Sequence, residues 1–274
     1  IKIFNNRTFV KYLIKMFIVI LLLNMNIYAK DNKNNNFERE AIFKEAVSDY
    51  SKKNYDEALK TFQQLENTDK VSFELLFDIG NCYYRLDELG EAIQYWEKAK
   101  KLNPSNNDVN FNLKLANVKL MDKVILPKPF FLFKFYNSIR DNINIKHWIN
   151  YLGIIFLIII LIFIAPKLFN NKKRLQRKIS KLVFIPKYIL ILSFIVISLI
   201  LFDTVNYNNN NKFGVVVVNK IKVKTEPIAN GETSFILHEG SKVKILSQFN
   251  RIWYKISYFD DKIGWIETSK IGEI

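Results

Sequence analysis

The chain has 274 residues, room for two small domains, and carries a net charge of +15. Most of that charge lies in two clusters that contain no acidic residue. The remainder is almost neutral, which argues against a nucleic-acid-binding surface. The single cysteine, Cys82, allows no intrachain disulfide. The clustered basic residues are Lys2, Arg7, Lys11 and Lys15, then Lys167, Lys172, Lys173, Arg174, Arg177, Lys178, Lys181 and Lys187.

Residues 1–29 have the order of a signal peptide: a basic start, an apolar stretch over 16–23 and a polar step ending at Ala29. We expect cleavage after Ala29 or retention of the segment as an uncleaved anchor. Either outcome exports the residues that follow.

Residues 38–123 repeat with a period of 34 residues, which is the length of a tetratricopeptide repeat. This resemblance predicts an all-α solenoid built from pairs of helices. The aligned positions are Tyr55 with Leu89, Ala58 with Ala92, Phe62 with Trp96, and Leu65 with Ala99.

The two copies differ in how well they match that family's pattern. The first, over 39–69, is weaker because it has no glycine where its helices would meet. After the second, residues 109–120 have helical spacing and predict a helix that caps the stack. The matching residues of the second copy are Leu76, Ile79, Gly80, Tyr83, Ala92, Trp96, Ala99 and Pro104.

Repeats of this kind bind peptide segments in a groove lined by their first helices. Asn81 also suits the repeat motif itself, and Tyr84 also fits a partly buried position, so packing is the alternative for both. Cys82 stands where the motif favours a small packed residue, which makes packing the expected role rather than redox chemistry. The candidate groove residues, called the groove set below, are Phe43, Tyr50, Phe77, Asn81, Tyr84 and Arg85.

The middle of the chain predicts a two-helix transmembrane hairpin. Residues 128–147 mix aromatic and basic residues and predict an interfacial segment, with a simple linker as the alternative. Spans over 148–166 and 182–203 would flank a basic loop at 167–181. The positive-inside tendency assigns that loop to the cytoplasm, so both flanking domains face outward.

After a linker at 204–213, residues 214–274 alternate as short strands and resemble a bacterial SH3 domain, a small all-β barrel. Trp253, Tyr254 and Trp265 are candidates for a surface that binds peptidoglycan peptides, as domains of that family often do. The alternative is that these aromatic side chains pack the barrel. The expected core consists of Val223, Val243, Ile245, Ile256 and Ile266.

The order of these modules resembles the BatE family of the Bacteroides aerotolerance (Bat) group. The stretches that carry the resemblance include 103–113, Asp122-Lys123 with Pro127, and 235–240 before Trp253-Tyr254-Lys255. The resemblance implies a scaffold in the bacterial inner membrane with both soluble domains in the periplasm. Its implied partners are Bat membrane proteins with von Willebrand A domains and a MoxR-type ATPase system. A peptidoglycan-binding anchor is the alternative function.

No catalytic site is predicted. His147 and His238 are far from Cys82 in the sequence, and Asp260 with Asp261 falls in an expected hairpin turn. These positions predict neither a triad nor a metal cluster, so we expect a protein that is not an enzyme and has no cofactor.

Overall fold

The structure is a computed structural model that describes residues 33–67, 71–122, 130–142, 144–168, 173–182, 184–259 and 262–274. The expected signal peptide and the Asp260-Asp261 turn lie outside these residues. The chain forms two compact units. The unit that contains residues 39–145 and 203–274 carries the helical repeats and all the described strands.

Five helices form the repeat domain. Helices α2 and α4 begin at Tyr55 and Leu89, the first pair of positions aligned by the sequence period. Ser72 caps α3 by accepting a hydrogen bond from the Leu75 amide, at 3.2 Å. The helices are α1 (Lys33–Ser51), α2 (Tyr55–Glu66), α3 (Phe73–Arg85), α4 (Leu89–Leu102) and α5 (Asn107–Lys119).

Small residues let α3 and α4 approach closely. A Cβ on Gly80 would lie 2.6 Å from Cδ1 of Trp96, so only glycine fits beneath that indole. Ala92 and Ala99 are fully buried beside Trp96, as the repeat pattern predicts. Phe62 and Ala58 occupy the same positions in the first repeat and are also fully buried.

Residues 212–274, the β-domain, form an antiparallel sheet with strand order β3-β2-β6-β5-β4-β1-β7. The five predicted core residues all belong to one buried cluster, which confirms the expected inward face of the strands. The strands are β1 (Lys212–Val216), β2 (Lys220–Lys224), β3 (Thr233–His238), β4 (Lys242–Phe249), β5 (Trp253–Tyr258), β6 (Lys262–Glu267) and β7 (Ile271–Glu273).

The β-domain packs directly on the second repeat. Val215 of β1 is fully buried in the same apolar cluster as Trp96 and Ile93 of α4. Leu120, just after α5, and Ile274 pack against that cluster too. The repeat domain and the β-domain therefore share part of one core.

Four further helices follow the repeats: α6 (Phe131–Asn142), α7 (Ile145–Leu168), α8 (Lys173–Leu182) and α9 (Phe184–Asn210). Among the described residues, α9 is the helix long and apolar enough to cross a membrane, whereas the apolar stretch of α7, Trp148–Ile164, is shorter. The hairpin therefore stays a prediction.

Two segments are more helical than the sequence pattern indicates. The linker expected at 204–213 is helical through Asn210, because α9 continues past its apolar part and the Asn211 amide still bonds to the Tyr207 carbonyl. The basic segment expected to be a loop at 167–181 contains α8, since residues 173–182 include no proline or glycine to interrupt a helix.

Candidate partner-binding site

Two aromatic residues of the groove set lie on α3, where Tyr84 contacts the neighbouring helices and Phe77 contacts a ring of its own helix. The Tyr84 ring centroid is 5.4 Å from that of Trp96, and Nζ of Lys119 lies 4.4 Å above the Tyr84 ring. Phe77 stacks on Phe73 with ring centroids 5.7 Å apart. The rings of Phe73, Phe77 and Tyr84 are half-buried, so each combines a packing contact with a face that a partner can reach.

Asn81 uses its side chain to join three helices. Its Oδ1 accepts hydrogen bonds from Nε1 of Trp96 on α4 and Nδ2 of Asn112 on α5, both at 3.1 Å. Its Nδ2 donates to Oδ1 of Asp78 at 3.3 Å. This amide therefore holds α3 in place against α4 and α5.

The two first helices are linked across the groove by an arginine and a tyrosine. Nε of Arg85 donates to the Tyr50 hydroxyl at 3.3 Å, and Tyr50 packs edge-on against Tyr55. Phe43 packs instead on Phe62, with ring centroids 5.4 Å apart. Five members of the groove set thus lie on α3 or are tied to it, and Phe43 belongs to the packing of the first repeat.

Asp78 was not among the predicted site residues, yet it is the most perturbed carboxylate on this side of α3. Burial raises the pKa of Asp78 from 3.8 to about 6, the Glu74 charge adds to that rise, and the hydrogen bond from Asn81 opposes it. The signal available in the sequence was its spacing of three residues from Asn81, which puts both on neighbouring parts of one helix face.

Asn112 and Lys119 were also missed. The spacing of α5 identified only its buried positions, and these two residues lie seven apart, or about two turns, on the side of α5 that meets α3.

Cys82 is fully buried among the first-repeat side chains. Burial raises the pKa of its thiol to about 12, with a further contribution from the Asp78 charge. The thiol is therefore protonated at neutral pH, as suits a packed residue.

The carboxylate of Asp122 binds the β-domain. Its Oδ2 accepts hydrogen bonds from the His238 amide and from Oγ of Ser241, both at 2.6 Å, and its Oδ1 lies 2.9 Å from Nδ1 of His238. The carboxylate stands between serine and histidine, so the hydroxyl donates to Asp122 rather than to the imidazole. This order suits a structural clamp and not the activation of a nucleophile.

More polar contacts surround the clamp. Oε1 of Glu239 accepts from the Gly90 amide at 2.7 Å, at the start of α4, where a helix favours negative charge. Nζ of Lys242 lies 2.9 Å from Oε2 of Glu97. A Cβ on Gly90 would lie 2.6 Å from the Val216 carbonyl oxygen, so the two domains approach at backbone distance.

The three aromatic candidates of the β-domain differ in exposure. Trp253 and Tyr254 are buried, and the Tyr254 hydroxyl donates to Oε1 of Glu273. Trp265 is half-exposed, with its ring 6.1 Å from that of Phe249 and Nζ of Lys255 5.8 Å from its centroid. The predicted wall-peptide surface therefore reduces to Trp265.

A metal-binding site is not evident. Among the described residues, no group of three or more histidine, cysteine or carboxylate side chains is arranged to hold a metal ion. The side chain of His147 lies outside what the structure describes.

Comparison with known families identifies the helical repeats. Residues 73–106 and residues 40–68 each match a family described as tetratricopeptide repeat. The chain thus contains two such repeats, the weaker first copy included, and repeats of this fold indicate a scaffold for protein–protein interaction.

Solved structures add a likeness of limited extent. Twenty chains from solved structures match this chain. One is the crystal structure of PcrH in complex with the chaperone binding region of PopB, 18% identical, covering 34% of this chain and 73% of that chain with a TM-score of 0.31. No curated protein matches the chain.

Proposed function

We propose that this chain is a non-catalytic scaffold of the bacterial inner membrane that holds a partner-binding groove and the β-domain on the periplasmic face. One observation carries the proposal. The β-domain packs on α4, the second helix of its repeat, whereas the groove set lies on the first helices α1 and α3. A partner can therefore bind the groove while the β-domain stays docked.

The shared core supports a two-crossing topology. Val215 packs with α4, so the repeat domain and the β-domain lie on the same side of any membrane. A chain that leaves one side and returns to it crosses an even number of times. If α9 is one crossing, the apolar stretch Trp148–Ile164 of α7 is the natural second, because it is only slightly shorter than the roughly 20 residues a span needs.

Charge supports the orientation of that hairpin. Helix α8, between the two apolar helices, carries Lys and Arg and no acidic residue. Such segments are retained in the cytoplasm, which leaves both soluble domains outside.

The resemblance to the Bat group supports the class of partner, namely Bat membrane proteins with von Willebrand A domains that work with a MoxR-type ATPase. Two stretches that carry the resemblance, Asp122-Lys123 and 235–240, supply both sides of the Asp122 clamp to His238. Residues from these two stretches therefore belong to the contact that holds the two domains together.

Site-specific photocrosslinking tests the groove. A photoreactive amino acid at Arg85, in cells that express such a von Willebrand A protein, should yield an adduct with it, and Phe77→Ala should weaken that adduct. The same amino acid at Lys60, exposed on α2, is the matched control and should give none. Equal adducts at both positions, or no adduct at Arg85, would contradict the proposal.

The second candidate function is binding of wall peptides through Trp265, favoured by its half-exposed ring beside Phe249. In sedimentation with purified peptidoglycan, the detergent-solubilised chain should be retained and Trp265→Ala should be lost from the pellet. Retention no greater than that of an unrelated protein removes this candidate.

A further inference from the structure

We infer that α6 lies in the headgroup region of the membrane and inserts the side chains of Phe131, Leu132 and Phe135 into the acyl boundary. The inference rests on the proposed membrane anchoring and adds a second lipid contact outside the spanning helices. Its partner is the surface of a phospholipid bilayer.

The exposed side chains of α6 suit lipid better than water. Phe131, Leu132 and Phe135 are 66%, 56% and 67% exposed and fall on one side of the helix, while Phe133, which is 65% exposed, lies away from them. Lys134 and Asp141 lie together on the other side. A soluble surface rarely leaves large apolar side chains this exposed in one short helix, whereas an interfacial helix buries such side chains in the membrane.

Two contacts hold α6 to the end of α9. The Tyr136 hydroxyl donates to Oδ2 of Asp203 at 2.6 Å, and the guanidinium of Arg140 lies 4.0 Å above the Tyr207 ring. Tyr136 and Arg140 make these contacts from positions beside the exposed apolar side chains, since Tyr136 follows Leu132 by about one turn. Phe131 and Phe135 take no part in them and remain exposed.

The position of these two contacts along α9 indicates where α6 lies relative to the membrane. No charged residue lies between Lys187 and Asp203 on α9, so Asp203 marks the end of its apolar part. About 20 residues from Phe184 reach Asp203, roughly 30 Å of helix, which is the thickness of the hydrocarbon layer. A helix fastened at Asp203 and Tyr207 therefore lies at the membrane surface, where aromatic residues are enriched.

Spin labels on single cysteines in the full chain test this depth. The background is Cys82→Ala, and the protein is reconstituted into vesicles of phosphatidylethanolamine and phosphatidylglycerol. The matched pair is Phe135→Cys and Lys134→Cys, adjacent residues on different faces. Ile195→Cys on α9 and Lys44→Cys on α1 are the lipid and water references. Collision rates with oxygen and with a polar nickel complex report depth.

We expect the ratio of oxygen to nickel accessibility at Phe135 to be severalfold above that at Lys134 and to approach that at Ile195. Phe131→Cys should repeat the result independently. If Phe135 matches Lys44 while Ile195 is immersed, the inference fails and the membrane anchor stands. If Ile195 also behaves as water-exposed, the proposed anchoring fails and the inference with it.

Discussion

Asp122 joins two domains through one carboxylate that accepts three close contacts from the β-domain. In Asp122→Ala, the His238 amide and the Ser241 hydroxyl lose their acceptor, at a cost of about 1–3 kcal/mol of docking free energy. Hydrogen exchange of the β3 to β4 amides in the full chain should become faster. Glu45→Ala, at an exposed carboxylate of α1, is the control, and an unchanged exchange rate in Asp122→Ala would contradict the clamp.

The same carboxylate gives the docking a pH dependence. Burial alone would raise the pKa of Asp122, but hydrogen bonds from Ser241 and His238 outweigh it and hold the pKa below its usual range. A lowered folded pKa gives stabilisation that is complete above the unfolded pKa and lost as the pH falls through the folded one. Exchange protection of β3 to β4 should therefore fall in acid below about pH 4. Asp122→Asn should lack that acid-dependent part, and identical acid profiles would refute this assignment.

The ionised side chain of Asp78 affects stability in the opposite direction to that of Asp122. Its pKa of about 6 lies above its ordinary 3.8, so the folded state binds the proton more tightly and the carboxylate destabilises the repeats as the pH rises through that window. Asp78→Asn keeps an oxygen for the Asn81 amide and should stabilise the chain by about 1–3 kcal/mol at neutral pH. Thermal unfolding checks this: the gain should shrink toward the acid end of the window, and a gain independent of pH would exclude the burial of charge as its cause.

At the scale of elements, α4 packs on two sides. One side meets α3 through Trp96, and another meets the β-domain through Gly90 and Ile93. Gly240 of the β3 to β4 turn has a φ of +81°, and a Cβ there would collide with Leu120 and Ile93. Two glycines from distant parts of the sequence thus permit one close contact.

Replacing either glycine should separate the domains. In Gly90→Ala, the added methyl group meets the Val216 carbonyl oxygen, and we expect the docking free energy of the two domains to fall by about 1–3 kcal/mol. Carbodiimide should link Lys242 to Glu97 in the native chain, since these atoms are 2.9 Å apart, and mass spectrometry should find that link severalfold reduced in Gly90→Ala and Gly240→Ala. Gly153→Ala, whose Cβ would meet no atom within 4 Å, should retain it.

The elements themselves could be predicted from the sequence because their cores are local. Spacing identified α2 through Ala58, α3 through Ile79 and α4 through Ala92, and alternation identified the strands through Val223 and Ile256. The end of α9 could not be predicted, since an Asn-rich run has low helix propensity and only its continuation from an apolar helix makes it helical.

The candidate site was predictable in part. The repeat motif gives the positions of Asn81 and Tyr84 on α3. It does not give Asn112 or Lys119, because their roles depend on how α5 packs against α3. The docking of the β-domain was missed for the same reason: Asp122 and His238 lie 116 residues apart, and one sequence alone carries no signal that pairs them.

Two features of the whole molecule bear on its topology. One is the core shared by α4 and β1, and the other is the presence of the apolar helices α7 and α9. Domains that share a core cannot be separated by a bilayer, so if α9 crosses a membrane, the segment between the domains has to cross it an even number of times. That requirement, rather than the hydropathy of α7 alone, is the reason for proposing a hairpin with the basic helix α8 on the far side.

Labelling of single cysteines in intact cells tests whether the repeat domain and the β-domain lie on one side of the inner membrane with α8 on the other. In the Cys82→Ala background, the probes are Lys60→Cys in the repeat domain, Lys222→Cys in the β-domain and Lys178→Cys on α8, treated with a membrane-impermeant maleimide after the outer membrane is opened. We expect equal labelling at Lys60 and Lys222, and protection of Lys178 until the inner membrane is permeabilised. Labelling of Lys60 and Lys222 from opposite sides, or of Lys178 together with both, would contradict it.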